Sequence, residues 1–421
     1  MSLIRLQLHW QIAIALVAAV AAGLLLDDYV LHVAFIGKLF LQGLKMIIVP
    51  LIATSIICGT ASMGTESNVG KLGAKTFAYY MTTSLMAILV GLLLVNLIAP
   101  GKGAELGLRE QPDDRLANSV ERFGSSPAET VERLLLDLVP INPIRAMAEG
   151  NILQVIFFCL LIGLFIPRLP GNASDKLLEL AKAGFELMMA VTKFILAFAP
   201  LGIFAIVSQT VATTGLDVFK GLGLYALTVF LGLCIHAGIS LSLLLVVVAQ
   251  INPARHVRAM SSALLTAFST SSSSATLPLT MHSLEQRAGV SNRVTSFVTP
   301  LGATINMDGT ALYECVAAMF IAQAYGIDLT AGQQILIVLT ALLASIGAAG
   351  IPMAGLVMMS VILTAVGLPL EGVGLILAVD RVLDMCRTTV NVWSDSCGAA
   401  LIAKTESEEL TYSGNTIVET K

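Results

Sequence analysis

The sequence predicts an all-α integral membrane protein. Its 421 residues are 56% hydrophobic and 12% charged, with a mean hydropathy of +0.85. Soluble domains carry about 25% charged residues, so this chain has too few charges to clothe a water-facing surface. Apolar segments long enough to cross ~30 Å of hydrocarbon recur along it. In the second half, successive apolar segments are split by polar or Gly/Pro-rich runs. Lipid tolerates such breaks only where the freed backbone is buried in protein or lines a cavity.

The first span runs from about His9 to Leu26 and ends at Asp27-Asp28 without a small-residue cleavage pattern, so it reads as a span and not a cleaved leader. The second runs from about Val30 to Cys58 and the third from about Thr76 to Ala99. A polar stretch from Gly101 to about Glu132 reads as a long external loop. Further spans are expected near 146–166, 183–212 and 221–248. Residues 253–287 hold an apolar piece, the hydroxyl run Thr270 to Ser274, and Pro278. Residues 292–324 are interrupted by Asn306-Met307-Asp308-Gly309-Thr310, residues 330–366 by Gly347 to Pro352, and residues 371–403 form a long last helix.

Basic residues give the orientation. With the amino terminus inside, Arg5, Lys71, Lys75, Arg168, Lys176, Lys182, Arg255, Arg258, Arg287, Arg293 and Lys404 all fall on the cytoplasmic side. This holds if 253–287 enters and returns from inside. By the same logic 330–366 re-enters from outside, and the sequon Asn172-Ala173-Ser174 lies inside and is a chance match. The net charge of -4 gives no reason to invoke nucleic acid, and the acidic end (Glu406, Glu408, Glu409) reads as solvated. The six cysteines lie in apolar segments without metal-site spacing and read as packing residues.

The last helix carries Asp380, Asp384, Arg387, Asn391 and Asp395 within an arc of roughly 80°, which Thr388 widens to about 100°. Each Asp or Arg at a helix centre costs about 2.5 to 3.5 kcal/mol on insertion scales, so the stripe must be offset by burial in protein, pairing or bound ions. A self-paired ladder is the bland reading, since Asp384 and Arg387 stand at i,i+3. One Arg cannot neutralise three Asp, and intramembrane charges usually mark a substrate or ion path. With Asp308 the count is four carboxylates against Arg387, a net -3. An acidic substrate adds another negative charge, so bound cations are expected. The Ser271 to Ser274 run and the Gly/Ala-rich 347–355 tip offer backbone groups with little obstruction. Helix amino ends favour carboxylates, and unwound carbonyls favour Na⁺.

These residues resemble the glutamate transporter family of dicarboxylate/amino acid:cation symporters, which includes archaeal aspartate transporters and excitatory amino acid transporters. The resemblance covers nearly the whole chain. It rests on Ser271-Ser272-Ser273-Ser274-Ala275-Thr276-Leu277-Pro278, the Asn306–Thr310 break, Ser345 to Gly355, and the Asp380, Asp384, Arg387, Thr388, Asn391, Asp395 series. It implies a homotrimer of eight spans and two re-entrant hairpins, working as an elevator. The scaffold would comprise 1–70 and 127–217; the moving domain would comprise 71–126, with the external loop, and 218–421.

The resemblance further implies that Arg387 binds the substrate side-chain carboxylate, with Thr310 and the Gly355 N–H. A guanidinium fork suits that group. Asp384 takes the amino group, with Thr388 and the carbonyls of Ser271 and Ile351, while Asn391 and the Ser273 N–H hold the α-carboxylate. Three Na⁺ sites are implied: Asp395 with backbone oxygens of Gly302, Asn306 and Asn391; backbone of Thr304, Ser345, Ile346 and Ala348; and Asp308 with Asn306, Tyr80, Thr83 and Ser84. On its own the Tyr80–Ser84 run would be unremarkable.

Dicarboxylate carriers of this kind lack the Asp at 384 and neutral amino acid carriers lack the Arg at 387, so an acidic amino acid is implied. Glu314 stands where archaeal members have Gln and excitatory members have a proton-carrying Glu, which implies H⁺ as a candidate second ion. Ser271 replaces an archaeal Arg, and the sequence offers no obvious substitute. The rivals are a proton-coupled dicarboxylate symporter, a channel and a membrane enzyme. No repeated pore motif and no nucleophile–base pair favours the last two. Neither aspartate against glutamate nor Na⁺ against H⁺ is decided by the residues. The compact termini suggest a prokaryotic plasma membrane.

Overall fold

A computed structural model describes residues 8–26, 29–30, 32–62, 70–102, 136, 139–170, 172–214, 218–347, 354–410 and 412. Among these, every regular element is helical. The external loop expected at 101–132 and the tip at 348–353 fall largely or wholly outside them.

The first three helices are α1 (Leu8–Leu25), α2 (Ala34–Ser62) and α3 (Gly70–Ile98). The span expected at 146–166 is two helices, α4 (Pro143–Glu149) and α5 (Ile152–Phe165). They part at Gly150, whose φ of 69° is left-handed and costs glycine nothing. The span expected at 183–212 is also a pair, α6 (Asn172–Leu196) and α7 (Ala199–Thr214), bent by 48°. Pro200, one residue into α7, has no N–H to continue the ladder. The span expected at 221–248 is α8 (Val218–Ile235) and α9 (Ser242–Val247), joined by a π-helical turn at His236–Leu241.

Beyond these come α10 (Pro253–Thr270), α11 (Ser273–Ser283), α12 (Asn292–Ile305), α13 (Asp308–Ala324), α14 (Ala331–Gly347), α15 (Ala354–Val366) and α16 (Glu371–Thr405). Helices α10 and α11 pack on each other as a hairpin. Its corner is Ser271 at φ 51°, followed by Ser272, whose Oγ caps α11 by accepting the N–H of Ala275. Three helical stretches, 34–61, 71–98 and 220–247, are each long and apolar enough to cross a membrane, and α6 with α7 makes a bent fourth.

The packing falls into two groups. Helix α1 lies along α7, and α2 lies along α5, α6 and α7. Helix α3 lies along α13 and α8, while α10, α12 and α13 surround α16. The groups meet where α1 and α7 touch α16, where α12, α14 and α15 touch α2, and where α14 and α15 touch α5.

Helix α16 carries its charged stripe inside protein and packs on its other sides as well: residues 390–400 are buried all round, so α16 is the axis of the second group. The ends of three helices meet on one face. Lys75 Nζ lies 2.6 Å from Glu406 Oε1, Arg293 Nη2 lies 3.7 Å from Glu406 Oε2, and Glu408 accepts the N–H of Ser291 at 3.0 Å. The Lys75, Arg293 and Lys404 ends therefore share a side, as the basic-residue reading requires. None of the six cysteines is in a disulfide.

Candidate functional site

Two buried polar clusters lie along α16. The first surrounds Arg387, which is 1% exposed. Its Nε donates to Asp384 Oδ1 at 2.9 Å and its Nη1 to Asp380 Oδ1 at 3.1 Å. The Tyr313 ring lies 4.3 Å from the guanidinium carbon, a cation–π distance. Nη2 sits 2.9 Å from Asp384 Oδ1 but makes no hydrogen bond there. The ladder of Asp and Arg thus forms, yet it leaves donor capacity unused on a buried guanidinium. Such capacity is costly without a partner, and it suits a carboxylate ligand. A Cβ added to Gly355 would lie 2.8 Å from Arg387 Cζ, so the start of α15 rests directly against the guanidinium.

Other residues of the expected substrate set lie beside it. Asn391 donates from Nδ2 to Thr310 Oγ1 at 3.1 Å and accepts the N–H of Gly309 at 2.8 Å. It therefore ties α16 to the amino end of α13. Thr388 is 5% exposed on the same face. Ser271 Oγ is buried with no hydrogen-bond partner, and Ser273 begins α11. Ile351 lies outside the described residues.

The second cluster is built of oxygen. Asp308 Oδ1 accepts from Ser84 at 2.7 Å, and Oδ2 accepts from Ser394 at 2.6 Å. Thr83 Oγ1 lies 3.1 to 3.3 Å from Tyr79 O, Tyr80 O, Asn306 Oδ1 and Asp308 Oδ1. One hydroxyl proton serves four acceptors there. An excess of oxygens over protons is what a hard cation prefers. Asn306 Nδ2 donates to Asp395 Oδ1 at 2.9 Å and to Ser394 Oγ at 3.0 Å, linking the two carboxylates. The Gly302 Cα lies so close to Asp395 that an added Cβ would strike its carboxylate.

The structure thus brings together Thr83, Ser84, Asn306 and Asp308, and sets Asp395 against Gly302 and Asn306. Not every expected ligand enters by its side chain. Tyr80 reaches the cluster by its carbonyl, 3.3 Å from Thr83 Oγ1, while its hydroxyl donates to the Val298 carbonyl at 2.6 Å. The site expected from the backbone of Thr304 and Ser345 lies on α12 and α14, which pack on each other, while the hydroxyls of both residues bond within their own helices, to Leu301 O and Leu342 O. Ile346 lies in the last turn of α14, and Ala348 lies outside the described residues.

Glu314, on α13, is 0% exposed, and neither carboxyl oxygen has a hydrogen-bond partner.

Several site residues were missed by sequence reading. The π turn sends His236 inward, where Nε2 lies 3.1 Å from Asp308 Oδ2 and Nδ1 finds no partner. It also frees the Ala237 carbonyl, which accepts Trp393 Nε1 at 3.2 Å. A lone His in an apolar span was the available signal. Ser394 and Tyr313 gave none. Arg381 was readable, three residues before Asp384 on the same helix. Its Nη1 lies 3.8 Å from Asp384 Oδ2, so the count of -3 is corrected to four carboxylates against two guanidiniums, or -2. The excess sits on Asp308 and Asp395, because Asp380 and Asp384 are balanced by Arg381 and Arg387.

A membrane-embedded protein with a buried guanidinium beside an oxygen-rich pair of carboxylates is, by fold and site, a carrier of charged solutes. Comparison with known proteins agrees. The chain belongs to the sodium:dicarboxylate symporter family, whose profile matches residues 8–405. It is 38% identical to excitatory amino acid transporter 3 of Mus musculus over 467 aligned positions, covering 96% of this chain and 86% of that one. It is 39% identical to the Homo sapiens protein of the same name, covering 90% and 80%. It is 34% identical to the proton/glutamate-aspartate symporter of Escherichia coli K12, covering 96% and 94%. These relatives are transporters and not enzymes.

Proposed function

We propose that this protein is a secondary active symporter of acidic amino acids, L-aspartate or L-glutamate, driven by Na⁺. The observation that carries the reading is Arg387, a buried guanidinium with unused donors beside the Asp384 carboxylate. Arg387, with Thr310 and Gly355, takes the side-chain carboxylate. Asp384, with Thr388, Ser271 and Ile351, takes the ammonium. Asn391 and Ser273 take the α-carboxylate. The names of the rodent, human and bacterial relatives point to the same substrates.

The oxygen cluster at Asp308 and its neighbour Asp395 are the cation sites, using Thr83, Ser84, Asn306 and Gly302. Tyr80 joins them through its carbonyl, which faces Thr83, while its hydroxyl stays on Val298. Thr304, Ser345, Ile346 and Ala348 form a further site where α12 and α14 pack. The -2 charge on Asp308 and Asp395 requires cations before these carboxylates can cross lipid.

The two packing groups support a fixed scaffold (1–70 and 127–217) and a sliding domain (71–126 and 218–421); eight spans, two re-entrant hairpins and a trimeric assembly are what the family resemblance implies. The decisive experiment is uptake of radiolabelled L-aspartate into proteoliposomes under separate inward Na⁺ and H⁺ gradients. Uptake that requires Na⁺ is expected.

A second reading rests on Glu314: coupling to H⁺ in place of Na⁺ or beside it, with an acidic amino acid or a C4-dicarboxylate as cargo. An ionised carboxylate buried without partners costs several kcal/mol, so Glu314 is held as the neutral acid in this arrangement and can deliver its proton on exposure. Glu314→Gln is expected to flatten the pH dependence of uptake while leaving substrate binding intact. Uptake driven by H⁺ with Na⁺ absent would favour this reading.

A further inference from the structure

Arg381 and Arg387 both bear on Asp384, from opposite sides and in different surroundings. Arg387 holds Oδ1 at 2.9 Å and is buried, its side chain 2% exposed. Arg381 approaches Oδ2 at 3.8 Å, and its side chain is 29% exposed. The first contact is a hydrogen-bonded ion pair locked inside protein. The second is longer, comes from a partly exposed residue, and involves a flexible side chain that can swing away at little cost. The oxygen it approaches is not the one that Arg387 holds. Residue 381 thus adds a positive charge at the second oxygen of the carboxylate that would receive an incoming ammonium.

We propose that Arg381 is a specificity-determining positioning residue: it neutralises Asp384 while the site is empty and yields that carboxylate to the substrate amino group. The inference rests on the reading that Asp384 binds the ammonium. A ligand with an amino group displaces Arg381 and restores the neutrality of Asp384. A ligand without one leaves the Arg381–Asp384 pair in place, so Asp384 never becomes a buried uncompensated charge. Arg381 therefore narrows the preference for amino acids over the matching dicarboxylates. Its charge attracts the carboxylates of both ligand types alike, and that effect cancels in the ratio of their affinities.

The test is competition against labelled L-aspartate uptake by unlabelled L-aspartate and unlabelled succinate, in proteoliposomes at fixed Na⁺. Wild type, Arg381→Gln, Arg381→Met and Arg381→Lys are compared. The aspartate-over-succinate ratio is expected to rise about fivefold in the Gln and Met variants, the scale of a half-exposed ion pair. It should stay near wild type in the Lys variant, which keeps the charge. Release of bound labelled aspartate, followed in parallel, should slow by a similar factor in the Gln and Met variants. This second measurement stands even where succinate binds too weakly to compete. A merely structural role would lower protein yield or uptake without moving either quantity, and Lys would not restore them. An unchanged ratio with unchanged release overturns the inference, as does a shift that Lys fails to reverse. Failure of wild type to bind aspartate at all would overturn the substrate reading instead.

Discussion

Arg387 serves two physical purposes that a single substitution would confuse. It compensates Asp380 and Asp384 in the resting protein, and it offers unused donors to a ligand. Removing one member of a buried pair leaves an uncompensated charge and costs about 3 to 5 kcal/mol. Arg387→Met is therefore expected to lower the thermal midpoint and abolish uptake together. Adding Asp380→Asn should recover most of the midpoint, because it removes one stranded carboxylate, yet leave uptake at background. Thermal unfolding in detergent alongside liposome uptake separates the two. Recovery of uptake in the double variant would show that Arg387 is structural only. The charged residues of the last helix were legible because helical spacing alone places them on one arc. Arg381 stands just outside that arc, so the shared face does not mark it, although it is three residues before Asp384.

At the level of elements, the breaks matter more than the helices. The Asn306-Met307 interruption lets Asn306 reach Asp395 while Asp308 opens α13 among the hydroxyls of α3. That break could be read from its polar residues. The π turn at His236–Leu241 could not, because nothing in an apolar run distinguishes an extra backbone residue per turn from an ordinary helix. The split of α4 from α5 hinged on Gly150 adopting a left-handed φ, which an Asn-Gly-rich neighbourhood permits but does not demand. Close packing at glycine separates site from scaffold. In Gly302→Ala the new methyl meets the Asp395 carboxylate, and in Gly163→Ala it meets the Thr60 hydroxyl. Overpacking of this kind costs about 1 to 3 kcal/mol at either place. Uptake titrated against cation concentration should divide them: Gly302→Ala raises the half-saturating concentration about tenfold or more, for a loss of about 1.4 kcal/mol or more in cation binding. Gly163→Ala leaves it unchanged. Equal behaviour of the two would remove Gly302 from the cation site.

For the whole molecule, the structure ties one end of its second group together and packs the two groups along a shared boundary. Glu406 accepts from Lys75 and faces Arg293, linking α3, α12 and α16 on one face. The Lys75 hydrogen bond holds the Glu406 carboxyl below its ordinary value. A carboxylate with a lowered folded-state pKa contributes its stability above the ordinary value of about 4.3, and loses it as pH falls through the lowered one. The difference in thermal midpoint between wild type and Glu406→Gln should therefore shrink as pH falls from about 6 to about 3.5. A constant difference would mean that the ion pair contributes nothing.

The boundary itself is more revealing. Gly374 of α16 packs on Ile206 of α7, so closely that an added Cβ would lie 2.5 Å from Ile206 Cγ2. In an elevator, that contact joins the moving part to the fixed part and must break in each cycle. A pair of cysteines at 206 and 374 sits close enough for Hg²⁺ to bridge, and the bridge should stop uptake while leaving aspartate binding in place. Thiol reagent should then restore uptake. A rigid carrier that only opens and closes its tips would keep transporting with this bridge closed, because neither residue lies on a hairpin. Continued uptake by the bridged protein would therefore exclude the sliding mechanism and leave gating by the hairpins alone.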